Sequence, residues 1–311
     1  LLAEKKMDER ELMQSFQQIL ENFSQVLTYG GHSFTYRFLN NRWRNYSDAD
    51  CFSSEDTADL TLFQSVRQLD IQKDVSPFRH LLSLENTRKA TAEAFIRYTR
   101  PEHLDPEALV KCYTSWELSK EDTLLLQLKA HHEADMIGLL HLHSLSAYTQ
   151  FFRGRFAKVH LCRLEENFCH LALILETPVP QRVQLSNALL SLSLEKDTAH
   201  LVIPVLSGEL KYFLPGPVKD YYYLPKEDRA IHRSIACYVD KAYRQKATAA
   251  TCYIRQEGIF LPSFDTSLQP TFRKSFDDKQ LYILCDTEKL TSDPAFLRSY
   301  ISSLIKEVAS V

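Results

Sequence analysis

Apolar residues recur at helical spacing over residues 8–26, with charged and amide side chains between them. The apolar positions are Leu12, Phe16, Ile19, Phe23 and Val26. This spacing is typical of an amphipathic α-helix. The apolar stretch QVLT and the glycines Gly30 and Gly31 follow it closely. The pattern therefore predicts a helix, then a short buried strand, then a tight turn.

Two further helices are predicted before residue 150. Asp105 followed by Pro106 is typical of an N-cap and first turn, and predicts a helix over residues 106–117. Ser119, with Asp122 three positions later, has the spacing of a capping box that opens the next helix. That helix, EDTLLLQLKAHHEADMIGLLHLHSL, is mostly apolar. We therefore expect it to lie centrally in the fold.

The pattern changes after Phe152. Short segments rich in β-formers alternate with turn-like pieces and predict an antiparallel sheet of four or five strands over residues 156–215. Pro215–Pro217 marks a joint, after which we expect a helix that opens near Pro225. A closing helix is predicted over residues 294–308. The chain thus divides into an α/β domain over residues 1–154 and a β-rich, then helical, domain over residues 155–311.

Composition excludes several classes of protein. The chain has 311 residues, of which 44% are hydrophobic and 25% charged, which is ordinary for a globular protein. Its net charge is −3, so any nucleic-acid binding must come from a local basic patch. The seven glycines form neither GxGxxG nor GxxxxGK[ST], which argues against a dinucleotide or P-loop enzyme.

Cysteine usage and hydropathy bear on location. The seven cysteines are scattered and contain no CxxC pair, which favours reduced thiols in the cytoplasm. No apolar run approaches the roughly 18 residues that a membrane span needs, and no export signal is evident. We therefore expect a cytoplasmic protein without a membrane partner.

The segment QLKAHHEADMIGLL places His131 and Asp135 four positions apart, so both side chains share one face of a helix and can address one site. This segment resembles the last motif of DEDD-type exonucleases of the ribonuclease H-like fold. It is similar in particular to a YprB-like branch in which that motif runs His-Asn-x-x-Asp-[VI]. The resemblance implies that Asp135 is a metal ligand and that His131 is a catalytic residue beside it. His132 stands where the motif has its asparagine.

Other landmarks follow the family's order over about the first 150 residues. YGGHSFTYRFL, residues 29–39, resembles the motif Asn-Gly-x-x-Phe-Asp. ADLTLFQSVRQL resembles the next segment, with Asp59 as its aspartate, and KATAEAFI resembles a segment whose glutamate is Glu93. The order and spacing of these motifs, rather than any one of them, indicate a ribonuclease H-like domain.

Two departures from the family affect the expected chemistry. Thr35 occupies the position of a metal-binding aspartate, and a neutral hydroxyl is a poor ligand for a hard cation. The first motif, an Asp-x-Glu on the opening strand, has no counterpart. Residues 1–6, LLAEKK, resemble the end of the third strand, as if the first strands were missing from this sequence.

The resemblance implies a 3′–5′ exonuclease that acts on single-stranded DNA or RNA with two ions of Mg²⁺ or Mn²⁺, roughly 3.5–4 Å apart. Because Thr35 removes one carboxylate, we expect weak, single-metal or no hydrolysis, and whether the chain is an enzyme is left open. The alternative is a non-catalytic ribonuclease H-like scaffold that binds nucleic acid or a protein partner. A third hypothesis is an α/β interaction module whose resemblance to exonucleases is accidental.

Two groups of basic residues with neighbouring aromatic rings are candidates for nucleic-acid binding, because cations can hold phosphates while rings stack on bases. The first group is Arg37, Arg42 and Arg44, beside Trp43. The second is Arg233, Lys241, Arg244, Lys246 and Arg255, beside Tyr238, Tyr243 and Tyr253. Charged runs on amphipathic helices are usually a solvated face without a ligand, and we expect that explanation more often for each group.

Structural explanations also compete with the candidate site. His131 and Asp135 have the spacing of a surface pair that shares a hydrogen bond. Thr35 suits the N-cap of a helix that starts with TYRFLNNRW. Three other histidines follow no HExxH spacing, and we expect packing or solvation for them; they are His132, His141 and His143. Glu227, Asp228 and His232 are interpreted as the first turn of a helix.

Overall fold

A computed structural model describes residues 8–46, 62–63, 65–101 and 104–310. The chain divides into two compact units, Leu1–Ser146 and Ala147–Val311. Asp59 and the segment LLAEKK, both named in the comparison with exonucleases, lie outside the described residues.

The first unit is mainly helical around one pair of strands. Its strands are β1 (Gln25–Thr28) and β2 (Arg67–Asp70), which pair in parallel. Its α-helices are α1 (Glu9–Leu20), α2 (Tyr36–Tyr46), α3 (Ile71–Val75), α4 (Lys89–Phe95), α5 (Pro106–Ser119) and α6 (Asp122–Leu142). A π-helical turn, Gly31–Thr35, precedes α2, and 3₁₀ turns cover Ser76–Phe78 and His143–Leu145. Because α2 lies between two parallel strands, it belongs to a β-α-β crossover.

Two apolar clusters hold these helices. The first joins α1, α2 and the residues before β2; its buried members are Met13, Leu20, Tyr36, Leu62, Phe63 and Val66. The second joins α5 and α6 through Cys112, Trp116 and Leu128. The first half of α6 therefore packs on α5. Further along α6, Ala134 and Gly138 are also buried.

The turn after β1 depends on its glycines. Gly30 has φ of +79°, a left-handed conformation that glycine adopts without steric cost. A β-carbon at Gly31 would overlap the side chain of Thr28. The predicted sequence of helix, strand and tight turn is thus confirmed, with the helix ending at Leu20 rather than near residue 26.

The second unit combines antiparallel sheets with helices. Its helices are α7 (Ser146–Phe152), α8 (Arg233–Ala236), α9 (Thr287–Ser292) and α10 (Pro294–Ser310), with 3₁₀ turns at Val218–Asp220 and Lys241–Tyr243. Its strands are β3 (Lys158–Glu165), β4 (Phe168–Ile174), β5 (Val183–Ser186), β6 (Ser191–Glu195), β7 (Thr198–Pro204), β8 (Leu206–Phe213), β9 (Tyr221–Leu224), β10 (Arg229–His232), β11 (Gln245–Lys246), β12 (Tyr253–Ser263) and β13 (Leu281–Leu284).

These strands form three sheets. A five-stranded sheet has the order β3-β4-β7-β6-β5, and two three-stranded sheets have the orders β13-β12-β8 and β10-β9-β11. Every pairing in them is antiparallel. The closing helix α10 is fully buried at Leu297, Tyr300, Ile301 and Leu304. The expected antiparallel sheet and closing helix are therefore confirmed.

Three local predictions are wrong. No helix opens at Pro225, because Tyr221–Leu224 and Arg229–His232 pair as an antiparallel hairpin. Glu227 and Asp228 accordingly lie in the hairpin turn, not in a helix's first turn. Ser119 does not cap α6 either, since it is the last residue of α5 and the N-cap of α6 is Glu121.

Among the described residues, no helix combines the length and apolarity needed to cross a membrane. The six cysteines within the described ranges are free thiols, and Cys51 lies outside those ranges.

Candidate functional site

Asp135 lies in the middle of α6, and two cations hold its carboxylate. Nζ of Lys89 is 2.6 Å from Oδ1 of Asp135, and it also donates to the backbone oxygen of Asp135 at 3.1 Å. Nη1 of Arg100 is 2.9 Å from the same Oδ1. Lys89 is the first residue of α4, so the start of α4 and the turn that follows α4 both deliver positive charge to Asp135.

Arg100 also binds Glu93. Its Nε donates to Oε2 of Glu93 at 2.9 Å, and its Nη2 donates to Oε1 at 2.7 Å. Such a two-point contact is the strongest geometry for an arginine and a carboxylate. Gly138 lets the helices approach here, because a β-carbon at that position would lie 2.8 Å from Oε1 of Glu93. We call Lys89, Glu93, Arg100 and Asp135 the ion-pair network.

Burial strengthens this network. The side chains of Glu93 and Arg100 are 6% and 14% exposed, whereas that of Asp135 is 42% exposed. Burial acts to raise the pKa of Asp135, but the hydrogen bonds and charges of Lys89 and Arg100 outweigh it, so the pKa lies below its ordinary value. The hydrogen bond to Glu93 raises the pKa of Arg100 further. Asp135 and Arg100 are therefore both charged at neutral pH.

His131 occupies a different environment from Asp135. It is 8% exposed, and its Nδ1 accepts a hydrogen bond from the backbone N–H of Leu104 at 3.4 Å. Its ring also contacts that of His132 edge to face. The two residues are one helical turn apart, as their spacing predicts, but His131 is packed inward while Asp135 meets the cations. The predicted catalytic role of His131 stays a prediction.

Thr35 is not a helix N-cap. It is the last residue of the π-helical turn, which runs without a break into α2. The N-cap explanation for Thr35 is therefore wrong. No carboxylate takes its place within this turn, since Gly31–Thr35 reads GHSFT.

A different acid, Asp70, organises this turn. It is buried, with its Oδ1 accepting from the N–H of Gly30 at 2.8 Å and its Oδ2 from the N–H of His32 at 2.9 Å. It also caps α3 by accepting from Gln72 and Lys73. Burial acts to raise the pKa of Asp70, but these N–H groups outweigh it and the pKa is lowered. Backbone N–H groups of the protein therefore donate hydrogen bonds to both carboxylate oxygens of Asp70.

The donor set does not fit the pair of divalent ions that the resemblance implies. Among the residues that the structure describes, no three His, Cys, Asp or Glu side chains converge to hold a metal. Asp135 and Glu93 already bind cations, and both carboxylate oxygens of Asp70 already accept hydrogen bonds from backbone N–H groups. The metal role of Asp135 stays a prediction, and it requires Lys89 and Arg100 to leave the carboxylate.

The first basic group lies on α2, beside two exposed aromatic rings. Phe34 and Phe38 stack with centroids 5.5 Å apart, and they are 67% and 47% exposed. Arg37 is exposed between them in sequence. Nη2 of Arg42 donates to Oε2 of Glu9 at 2.9 Å, and its guanidinium lies over the Phe38 ring. Arg44 is exposed as well.

The second basic group lies around α8 and is partly engaged within the protein. Arg233 is 3.3 Å from Asp220, and Arg244 donates to the backbone oxygen of Ala236 and covers the Tyr222 ring. Lys241 is exposed. Of the remaining histidines, His141 stacks on Tyr98. Of the five cations in this group, Arg233, Arg244 and Arg255 thus have partners in the protein.

The comparisons with known proteins support the first unit's class. A model of the RNase H superfamily matches residues 1–146. The match ends where the first compact unit ends, and it supports a ribonuclease H-like domain in the N-terminal part of the chain. Neither the search of curated proteins nor that of solved structures found a match. Assignment to the YprB-like exonucleases stays a prediction.

The sequence analysis named two members of the ion-pair network, Glu93 and Asp135. It did not name Lys89 or Arg100, nor the buried acid Asp70. Lys89 and Glu93 have the spacing of a helical ion pair, yet Lys89 binds Asp135, 46 positions away. No local pattern carries that information. Asp70 had a usable signal, because an aspartate that ends an apolar strand before a helix is a common N-cap.

Proposed function

We propose that the N-terminal unit is a ribonuclease H-like scaffold that binds single-stranded DNA or RNA without hydrolysing it. The superfamily match supports a scaffold of the nuclease or nucleic-acid-binding type. The observation that carries the non-hydrolytic part is the ion-pair network, in which Lys89 and Arg100 neutralise Asp135 and Glu93.

Hydrolysis of a phosphodiester by this class needs carboxylates that are free to hold metal ions and balance their charge. In this chain a dication would have to displace two cations from Asp135, and an uncompensated cation in a half-buried site is costly. Thr35 adds no charge to compensate. These costs favour retention of the ion pairs over metal binding.

Binding of a strand is supported by the stacked pair Phe34 and Phe38. Both rings are exposed, and a nucleic-acid base can stack on an exposed aromatic ring. Arg37 places a positive charge on the same segment for the phosphate backbone. This combination suits single strands, whose bases are free to stack, better than duplexes.

The experiment uses end-labelled single-stranded DNA and RNA with the full chain, in Mn²⁺ and in EDTA. We expect the strand to be retained equally in both buffers and to stay intact in both. Asp135→Asn serves as the control for cleavage, and duplex DNA as the control for binding. Metal-dependent cleavage that Asp135→Asn abolishes contradicts the proposal. Absence of retention with either strand also contradicts it and favours a protein partner.

A further inference from the structure

A cleft opens beside the ion-pair network. It has a volume of about 640 Å³ and is formed by α4 and the turn after it. Its lining residues are Lys89, Ala90, Glu93, Ala94, Arg97, Tyr98, Thr99 and Arg100. Three of these side chains are cations and one is an acid, so the cleft is lined mainly by positive charge.

The cations differ in how far the protein already uses them. Arg100 directs Nε, Nη1 and Nη2 at Glu93 and Asp135. Lys89 donates to two oxygens of Asp135, which leaves one of its three N–H bonds for a ligand. Arg97 is exposed, and its side chain has no ion pair or hydrogen bond with any described residue. A ligand would therefore meet a free guanidinium and a spare ammonium proton.

The charge balance selects an anion. With Asp135 and Glu93 both paired, Lys89, Arg97 and Arg100 leave one positive charge in excess. This excess positive charge repels a divalent cation that enters the cleft and attracts an oxoanion. The low exposure of Arg100 reduces solvent screening of this attraction.

We propose that this cleft binds a phosphate group directly, with Arg97 as its main contact, Lys89 as its second, and no divalent ion. The arginine fork matches the oxygens of a phosphate, and the lysine adds a point charge. The phosphate belongs either to a bound strand or to a free phosphate compound. The inference rests on the proposed function only where the phosphate belongs to a strand.

The decisive variant is Arg97→Asn. Arg97 has φ of +58°, a left-handed conformation that asparagine tolerates better than most residues, so the change removes the charge with little risk to the backbone. Arg97→Lys keeps the charge. Lys129→Gln is the matched control, because Lys129 is exposed on α6 in the same unit and does not line the cleft.

The experiment titrates inorganic pyrophosphate, and separately a single-stranded oligonucleotide, into each full-length variant in EDTA by calorimetry. We expect Arg97→Asn to weaken binding of at least one probe about tenfold, the value of one charge-assisted hydrogen bond. Arg97→Lys should retain most of the affinity, and Lys129→Gln should match the natural chain.

The two probes separate this inference from the proposed function. Pyrophosphate binding that Arg97→Asn weakens, without oligonucleotide binding, contradicts the strand-binding scaffold but supports the cleft, whereas pyrophosphate binding that Arg97→Asn leaves unchanged overturns the cleft. Oligonucleotide binding that Arg97→Asn and Lys129→Gln affect equally, together with no pyrophosphate binding, supports the scaffold and overturns the cleft. The absence of binding by either probe overturns both.

Discussion

The ammonium of Lys89 lies 2.6 Å from Oδ1 of Asp135, although 46 positions separate the two residues. This contact, with the bond from Arg100 to the same oxygen, places two cations on the acid that the exonuclease resemblance makes a metal ligand. The N-terminal unit thus matches the RNase H superfamily in sequence. In the same unit, Lys89 and Arg100 neutralise the carboxylate of Asp135.

Removing Lys89 should alter the ionisation of Asp135. Because the hydrogen bond and charge of Lys89 lower the pKa of Asp135, we expect Lys89→Met to raise that pKa. Carboxyl ¹³C chemical shifts recorded against pH measure it directly, and Lys129→Met serves as the control. An unchanged titration of Asp135 in Lys89→Met means that the contact does not persist in solution.

Loss of Arg100 should destabilise the first unit strongly. Arg100→Met leaves Glu93 buried and unpaired, and breaking such a pair typically costs about 3–5 kcal/mol. Both tryptophans, Trp43 and Trp116, lie in this unit, so tryptophan emission during urea unfolding reports on it alone.

The matched control for Arg100 is the double variant Glu93→Gln with Arg100→Met. Because it leaves no unpaired carboxylate at position 93, we expect it to recover a large part of the lost free energy of unfolding. Equal stability of the single and double variants would show that the Glu93 charge is not responsible for the loss.

Asp70 should make stability depend on pH in the acid range. Its folded-state pKa is below the ordinary value of 3.8. Its stabilisation is therefore complete above that pH and is lost as pH falls through the lower folded-state pKa. At pH 7, Asp70→Ala should cost about 3 kcal/mol, because the N–H groups of Gly30 and His32 lose their acceptor.

Urea unfolding at several pH values checks this prediction. The difference in unfolding free energy between the natural chain and Asp70→Ala should shrink below pH 3.8. Glu133→Gln, a change of an exposed acid on α6, is the control and should alter stability by less than about 0.5 kcal/mol. A difference that grows as pH falls contradicts the assignment to Asp70.

The fold could be predicted where local pattern and final structure agree. Asp105-Pro106 signals the start of α5, and its carboxylate does accept from the N–H of Ala108. The strand-rich pattern after residue 155 predicts strands that do form, and consecutive strands such as β3 and β4 or β5 and β6 pair in antiparallel fashion. The pairings of β4 with β7 and of β8 with β12 join strands distant in sequence, which no local pattern predicts.

Prediction failed where pairing with distant residues decides the structure. The segment after Pro225 resembles a helix start, but the tyrosines before it pair with Arg229–His232 and the hairpin forms instead. The candidate site shows the same limit. Asp135 and Glu93 were visible in the sequence, whereas the cations that neutralise Asp135 come from α4 and the turn after it.

The stacked rings of Phe34 and Phe38 should contribute to strand binding but not to stability. Replacing both with alanine should weaken binding of single-stranded DNA by about 1–3 kcal/mol for each base that stacks. Both rings are largely exposed, so the urea midpoint should hardly change. Fluorescence anisotropy measures the binding, with Leu118→Ala as a control, because Leu118 is 84% exposed in the same unit. Equal losses in both variants contradict a stacking role.

The most direct test of the central claim is a Mn²⁺ titration of the full chain followed by electron paramagnetic resonance, with Asp135→Asn in parallel. If Lys89 and Arg100 hold Asp135, the natural chain and the variant will leave the same amount of free Mn²⁺ at every point. If the natural chain removes Mn²⁺ from solution and Asp135→Asn does not, Asp135 is a metal ligand and the claim is wrong.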